Sequence, residues 1–295
     1  MESKKSGGID LHIHSTASDG TYSPSEILQL AAQSGLQAIS ITDHDTLDGS
    51  RQAFECKIPP SLHFISGVEI SAQPPADCDV GGSLHILGYG VDPHHHELIE
   101  TLNKLQHVRN QRTHRMLDRL HQLGISLTLE QVMAEVGEGA ASRPHVARAM
   151  VKAGIVADIE EAFQRYLGNG RPAYVSKERM DCRQTFQLIR AAGGIPVLAH
   201  PFLIPCQGIG QLSALVASLC RIGLKGLEVY YPDHPPRAVT QYLAIAAKHD
   251  LSVTGGSDFH GHLIPDIEMG RGRGDLHVPF ALFEKMISKH SLHYI

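Results

Sequence analysis

Short apolar runs that read as β-strands alternate along the chain with segments of helical periodicity. Residues 9–14 form the first strand-like run. A helix is predicted from Ser23-Pro24, where serine can cap and proline suits the first turn, to Gly35. Further strands are predicted at 36–42, 63–70, 84–91, 195–200, 225–231 and 251–258, and further helices near 46–56, 181–193, 209–222, 235–249 and 279–289. Such alternation predicts parallel strands covered by helices, with the chemistry at the carboxyl ends of the strands.

One long segment interrupts this alternation. Residues 97–175 have helical periodicity throughout, and glycines such as Gly124 and Gly154 punctuate them. We therefore predict an α/β barrel domain built from residues 9–96 and 176–295, with residues 97–175 as a helical insertion. An insertion of this size between barrel elements suggests a substrate lid.

The bulk composition is that of an ordinary globular protein. Of 295 residues, 42% are hydrophobic and 19% charged, and the formal net charge of −5 gives no global attraction to nucleic acid or acidic membranes. The five cysteines are scattered without a CxxC pair and read as free thiols of a reducing compartment. No stretch approaches 18 apolar residues and the amino terminus is polar, so we expect a cytoplasmic protein without a membrane segment. No protein partner is evident.

Histidine and carboxylate residues gather in six short, widely separated patches. On a strand, side chains two residues apart share a face, so His12 and His14 point the same way, and Asp258 and His260 repeat this spacing. A single such histidine would be read as a hydrogen-bonded core residue. Imidazole and carboxylate together favour a first-row transition metal, and so many ligands exceed the needs of one ion. The six patches are DLHIHS (10–15), TDHD (42–45), GVE (67–69), LHILG (84–88), LAHP (198–201) and GSDFHG (256–261).

The ordered set DxHxH, a following aspartate, TDHD, GVE, a lone histidine, AHP and SDFH resembles the PHP (polymerase and histidinol phosphatase) family. The segments SDGTYSP, SRPHVAR, GRPAYV and AAGGIPVLAHP resemble the branch that acts on nucleoside 3′,5′-bisphosphates and RNA 5′ ends. The resemblance implies a distorted seven-stranded β/α barrel with three divalent metal ions. By matching position it implies His12, His14, Glu69 and Asp258 at the first ion, Asp19, His44 and His260 at the second, and Glu69, His85 and His200 at the third. Asp10, Asp43 and Asp45 are expected to orient ligands or cap helices, with Asp10 holding one of the histidines.

Charge then points to phosphate chemistry. Three divalent ions contribute six positive charges, and the carboxylates of Asp19, Glu69 and Asp258 contribute three negative charges. The pocket therefore stays cationic and suits a phosphate. A water shared by the first two ions would ionise near neutral pH and attack phosphorus. Mn²⁺ is our preferred metal, and Zn²⁺ or Fe²⁺ would also be accepted. Asp233 and His234 are candidates for protonating the leaving group.

A second phosphate site is predicted within the insertion. Ser142 and Arg143 stand where a helix should begin, and a capping serine, free backbone N–H groups and an arginine can hold an anion. Arg171 and Lys177 would join them. Alternatively, Ser142 only caps the helix and the cations are solvated. Four arginines, Arg109, Arg112, Arg115 and Arg119, fit an RNA track or a solvated face equally well.

Two phosphate sites favour a nucleoside 3′,5′-bisphosphate or a short 5′-phosphorylated RNA as substrate. The 3′ ester would lie over the metals and be hydrolysed. Three alternatives stay open from the sequence: a histidinol-phosphate phosphatase, an amidohydrolase-like enzyme and a non-catalytic PHP scaffold. The apolar run 202–205 after AHP departs from the polar or basic residues often found there in relatives and puts substrate contacts from that loop in doubt.

Overall fold

The computed structural model describes residues 8–78, 80–136, 141–176 and 179–295, without the side chains of residues 109 and 110. Contacts between Cα atoms divide the chain into two compact units, which we call the barrel unit (Met1–Glu100 with Arg179–Ile295) and the helical unit (Thr101–Glu178). The predicted boundaries of the insertion lie within a few residues of this division. Within the described residues, no helix is long and apolar enough to cross a membrane.

The barrel unit alternates strands and helices as the sequence predicts. Its first helix begins with a capping box in which Ser23 and Glu26 satisfy each other's backbone N–H groups. The elements before the helical unit are β1 (Ile9–Ile13), α1 (Pro24–Gln33), β2 (Ala38–Ile41), α2 (Asp48–Glu55), β3 (His63–Gln73) and β4 (Leu84–Tyr89). The helices that follow β4 are α3 (His96–Gln122), which continues into the helical unit, α4 (Leu129–Met133), α5 (Arg143–Lys152) and α6 (Ile159–Ala162), with a π-helical turn at Phe163–Leu167.

The chain then returns to the barrel unit. The remaining elements are β5 (Met180–Asp181), α7 (Cys182–Ala191), β6 (Ile195–Leu198), α8 (Ile209–Ile222), β7 (Gly226–Tyr230), α9 (Pro236–Lys248), β8 (Ser252–Gly255) and α10 (Phe280–His290). Among the described residues the strands pair in the order β1-β2-β3-β4-β6-β7-β8, and the two-residue β5 pairs with the end of β3. The expected seven-stranded distorted α/β barrel with a helical insertion is confirmed.

The barrel is nearly closed where the chain beyond β8 meets β1. The N–H of His14 donates to the carbonyl of Phe259 at 2.9 Å, and Ile13 and Phe259 form an isolated parallel bridge. Gly256 allows this approach, because a Cβ atom there would overlap the backbone of His12. Segments that carry histidine and aspartate at opposite ends of the sequence therefore lie side by side.

One strand contradicts the expectation of an all-parallel barrel. β4 runs antiparallel to both β3 and β6. Its amino-terminal end therefore lies at the same end of the barrel as the carboxyl ends of its neighbours. In this register His85 pairs with Ser71, which shares a strand face with Glu69, so His85 and Glu69 are placed on the same face. The short apolar run of β4 indicated a strand but carried no information on its direction.

Among the described residues, apolar clusters support the barrel unit, and a separate cluster forms the core of the helical unit. Ile27 and Leu28 of α1 pack with Ile39 and Ile41 of β2, which anchors the first helix to the sheet. A second cluster joins Phe283 and Met286 of α10 to Ile9 and Leu11 of β1. The helical unit has its own buried core, which includes Met116, Leu120, Val146 and Met150. The barrel thus supplies a packed frame for the polar side chains at the strand ends.

Candidate metal centre

Glu69 lies at the centre of the histidine cluster. It is the seventh residue of β3 and only 1% exposed. Its Oε1 lies 2.8 Å from His85 Nδ1, 3.1 Å from His200 Nε2 and 3.6 Å from His12 Nε2, and its Oε2 lies 2.8 Å from His44 Nδ1 and 3.4 Å from His14 Nε2. One buried carboxylate therefore faces five imidazoles from four different segments of the chain.

Asp258 forms a second meeting point, between the first strand and the last. Its Oδ1 lies 3.3 Å from His12 Nε2 and 3.1 Å from His14 Nε2. Its Oδ2 accepts a hydrogen bond from the Tyr231 hydroxyl at 3.0 Å. Asp258 and His200 both have positive φ angles, 54° and 25°, which non-glycine residues avoid unless their surroundings hold them. For His200 one such restraint is the hydrogen bond that its N–H donates to Glu228 Oε2 at 2.7 Å.

Asp19 forms a third meeting point with the other predicted ligands. Its Oδ1 lies 3.6 Å from His14 Nδ1 and 3.4 Å from His260 Nε2, and its Oδ2 lies 3.8 Å from His44 Nε2. His260 also stacks on the His14 ring, with centroids 4.1 Å apart. The loop after β1 and the loop after β8 thus supply a compact set of nitrogen and oxygen donors.

The donor atoms fit divalent metal ions. Four overlapping groups of side chains each place their ligand atoms within 4.8 Å of one another: His14/Asp19/His44/His260, His12/His14/Asp258, His12/Glu69/His200 and His44/Glu69/His85. All nine predicted ligands belong to at least one group. Several of the facing atoms, including His12 Nε2, His14 Nε2 and Glu69 Oε2, are buried and make no hydrogen bond within the described structure. Buried nitrogen and oxygen atoms without a hydrogen bond can serve as ligands of a metal ion.

The structure groups some ligands differently from the resemblance. His44, expected with Asp19 and His260, also lies with Glu69 and His85. His14 lies with Asp19 as well as with Asp258. Shared ligands of this kind suit a cluster of neighbouring ions better than three isolated sites, and the assignment of individual ligands to individual ions stays a prediction.

The sequence analysis missed Glu228. This residue of β7 is fully buried, and its Oε1 lies 2.9 Å from His12 Nδ1. Because a carboxylate only accepts, the Nδ1 of His12 carries the proton and Nε2 is left to face the cluster. The available signal was a lone glutamate within the apolar run KGLEVYY, at a position where an apolar side chain would be expected.

Asp10 holds His12 through its backbone. Its Oδ1 accepts from the backbone N–H of His12 at 3.3 Å and of Ser257 at 2.8 Å, and its Oδ2 accepts from Gly270 N at 2.7 Å. It therefore fixes the segment just before Asp258. Asp43 similarly fixes the loop after β1 by accepting from Ser15 and Ser18, and Asp45 accepts from the N–H of Ser71 at 3.3 Å.

The two candidates for a proton donor have other contacts. Asp233 accepts from Arg273 Nε at 3.0 Å. His234 donates from Nδ1 to the carbonyl of Val229 at 2.8 Å, and burial lowers its pKa, which favours the neutral imidazole. Neither contact supports a role as a general acid for the leaving group.

Ser142 and Arg143 begin α5, as predicted. The N–H of Ser142 donates to His145 Nδ1 at 3.0 Å. The Arg143 guanidinium lies 5.6 Å from the centre of the Phe163 ring and 5.5 Å from that of Tyr174, and it donates to the carbonyl of Leu167 at 3.4 Å. These rings hold the guanidinium in place. Arg171 is exposed, and Lys177 lies outside the described residues.

The arginine stripe on α3 is partly structural. Arg112 is buried and donates from Nε to the carbonyl of Val175 at 2.8 Å. Arg119 donates to the carbonyl of Tyr174. Arg115 is exposed, and the side chain of Arg109 lies outside the description. Two of the four arginines therefore hold the backbone of residues 174–175.

The electrostatics of the cluster reflect the close mixture of acids and imidazoles. Burial lowers the pKa of His14, but hydrogen bonds and charge interactions with Asp258 and Glu69 outweigh it and raise the pKa to about 10. Burial raises the pKa of Glu69, but the facing imidazoles, His44 and His85 first, hold it well below its usual range. In the absence of metal, protons occupy the positions that cations would take.

A nearly closed α/β barrel with a buried histidine–carboxylate cluster at one end defines a metal-dependent hydrolase. The PHP domain family model matches residues 10–169. The chain is 34% identical to the 5′-3′ exoribonuclease of Escherichia coli over 269 residues, 89% of this chain and 88% of that protein. It is 31% identical to the 3′,5′-nucleoside bisphosphate phosphatase of Chromobacterium violaceum over 253 residues, 85% of this chain and 87% of that protein.

A solved structure agrees with the sequence relatives. A candidate metal-dependent phosphoesterase of Bifidobacterium adolescentis superposes with a TM-score of 0.80 at 30% identity, covering 97% of each chain. The chain belongs to the PHP domain family, and it is a metal-dependent phosphoesterase.

The contact between Glu228 and His12 yields a first prediction. We expect Glu228→Gln to weaken metal binding roughly tenfold or more, because the amide no longer fixes the His12 tautomer as a carboxylate does. Metal titration of the purified variant measures this. The exposed Glu284→Gln is the matched control and should bind metal as the wild type does. An unchanged affinity in Glu228→Gln would show that His12 is oriented without it.

Competition between protons and metal yields a second prediction. A metal ion binds only the unprotonated imidazole nitrogen, and the carboxylates raise the pKa of His14 to about 10 in the metal-free protein. Raising the pH toward that value removes the competing proton, so affinity for Mn²⁺ should increase from about pH 6 to about pH 9. Calorimetry in buffers of different ionisation enthalpy should detect released protons. A pH-independent affinity without proton release would contradict this, and the exposed His293→Gln serves as control.

Proposed function

We propose that this phosphoesterase hydrolyses the 3′-phosphate ester of nucleoside 3′,5′-bisphosphates and of short 5′-phosphorylated RNA. The observation that carries the proposal is the cluster around Glu69, in which nine imidazole and carboxylate side chains converge. Relatives named as an exoribonuclease and as a nucleoside bisphosphate phosphatase, each aligned over more than four-fifths of this chain, support the substrate class.

The reaction is a transfer of the phosphoryl group to water. A P–O bond to water forms, the bond between phosphorus and the ribose 3′ oxygen breaks, and that oxygen takes up a proton. With a bisphosphate the products are a 5′-mononucleotide and phosphate. With RNA they are a 5′-mononucleotide and a chain with a new 5′-phosphate, on which the same cleavage can repeat.

Three divalent ions, with Mn²⁺ preferred and Zn²⁺ or Fe²⁺ also suited to the ligands, would supply an ionised water and neutralise phosphate oxygens. His12, His14, Asp19, His44, Glu69, His85, His200, Asp258 and His260 would hold them. Glu228, Asp10 and Asp43 keep the ligands and their loops in position. Tyr231 holds Asp258 from the opposite side of the carboxylate.

We assign the second phosphate to the helical unit. Ser142, Arg143, Arg171 and Lys177 are proposed to bind the 5′-phosphate, and residues 97–175 to act as the substrate-binding insertion. The support is local: Arg143 is held by two aromatic rings at the start of α5, and a fixed guanidinium is suited to binding a phosphate through two parallel hydrogen bonds.

Phosphate release from adenosine 3′,5′-bisphosphate in the presence of Mn²⁺ tests the proposal. The comparison substrates are 5′-AMP, 3′-AMP, histidinol phosphate and a 5′-phosphorylated RNA oligomer. We expect release from the bisphosphate with 5′-AMP as product, and stepwise shortening of the oligomer. Preference for histidinol phosphate would exclude the proposed substrate class while keeping the metal chemistry. No turnover of any of them by the metal-loaded enzyme would exclude the whole proposal.

A third prediction tests the second phosphate. Arg143→Ala should raise KM for the bisphosphate roughly thirtyfold, which corresponds to a loss of about 2 kcal/mol of binding free energy. It should leave KM for an aryl phosphate unchanged. The exposed Arg115→Ala is the control for loss of positive charge in the same unit. Arg143→Lys keeps the charge and loses the planar guanidinium, so its KM for the bisphosphate should lie between those of the wild type and Arg143→Ala. Equal losses on both substrates would show that Arg143 is structural.

A further inference from the structure

A small apolar pocket lies in the barrel unit beside the loop that follows the predicted ligand His200. It has a volume of about 210 Å³ and lies between the loop after β6 and the helices α8 and α9. We call it the loop pocket. Its walls include Pro201, Phe202, Ile204, Leu212, Gln241 and Tyr242. The run Phe202–Pro205 that left the role of this loop in doubt is therefore part of a defined cavity.

A continuous path of aromatic contacts joins the loop pocket to the metal ligands. The ring of His200 lies 5.5 Å from that of Tyr231, which lies 5.1 Å from His234. His234 in turn lies 6.2 Å from Phe202 and 5.1 Å from Tyr242. Phe202 also follows His200 by only two residues. The pocket wall begins at Pro201, the residue after the predicted ligand His200, so a nucleotide with a phosphate on the cluster has the pocket within its reach.

The groups at the pocket suit a nucleobase. Phe202 is 50% exposed, so one face of its ring is open for stacking, which accepts any base because every base has a π face. Gln241 offers an amide that both donates and accepts at a base edge. A purely aliphatic ligand would leave that amide unused, and a second phosphate would meet no cation among the wall residues.

His234 adds an independent observation. Because its Nδ1 donates to the Val229 carbonyl, its Nε2 is a bare acceptor, and this atom is buried without a hydrogen-bond partner among the described residues. Buried acceptors of this kind are uncommon and call for an explanation. His234 does not line the loop pocket itself, but its ring packs against Phe202 and Tyr242, which do, and so supports the pocket wall from behind.

Resting on the proposed function, we propose that the loop pocket binds the base of the nucleotide whose 3′-phosphate lies on the metal cluster. Phe202 is the stacking surface, and Gln241 contacts the base edge. The pocket fixes the ribose relative to the metals through the base, with little discrimination among bases because stacking dominates.

The test compares two substrates and two neighbouring variants. The substrates are adenosine 3′,5′-bisphosphate and its abasic analogue, 1-deoxyribose 3,5-bisphosphate. Phe202→Ala should raise KM for the nucleotide about tenfold and leave KM for the abasic analogue unchanged. Leu203→Ala is the matched control, since Leu203 is equally exposed at 54% in the same turn but does not line the pocket. Phe202→Trp, which keeps a stacking ring, should retain the wild-type KM.

The possible results distinguish a failure of the base-binding proposal from a failure of the proposed function. If the wild type hydrolyses the bisphosphate but Phe202→Ala raises KM equally for both substrates, Phe202 acts on loop structure and the assignment is overturned. An unchanged KM for both substrates in Phe202→Ala overturns it as well. If the wild type hydrolyses neither substrate while metal-loaded, the proposed function fails first and the base site fails with it.

Discussion

The buried carboxylate of Glu69 is the constraint on which the site depends. A charge that is buried away from water must be stabilised by polar or oppositely charged groups of the protein. For Glu69 these groups are imidazoles from β1, β4 and the loops after β2 and β6. Since each of these segments must reach the same point, the carboxylate couples the geometry of half the barrel to the site. The same proximity raises the pKa of His14 and lowers that of Glu69. Metal ions and protons thus compete for one set of buried atoms.

The reversed strand β4 is what allows Glu69 to be shared. In an all-parallel barrel, a histidine at the second position of a strand would lie at the end opposite the active site. Because β4 is antiparallel, His85 enters the cluster from its amino-terminal end, across from Ser71. The distortion of the barrel therefore has a chemical consequence, since it adds an imidazole to a carboxylate that the parallel strands alone would leave less completely surrounded.

Much of the fold followed from patterns local in sequence, and the exceptions were contacts between distant segments. The start of the first helix at Ser23 and the alternation of strands with helices could be predicted because they depend on neighbouring residues. The direction of β4 could not be predicted, because a short apolar run looks the same whichever way the strand runs. The convergence of His12 and Asp258 was inferable from the resemblance. The role of Glu228 required knowing that the chain beyond β8 meets β1, which brings β7 within reach of His12, and the backbone contacts of Asp10 likewise join distant segments.

The metal cluster and the surrounding loops have different roles in substrate recognition because their chemistry differs. The cluster recognises phosphate through charge alone, and so it has no means of telling one phosphate ester from another. Discrimination must come from groups that touch the rest of the substrate. In the barrel unit we propose that these groups lie on the loop after His200, where the apolar pocket begins. Because such loops can change without altering the strand that carries Glu69, substrate choice can vary on a constant metal frame.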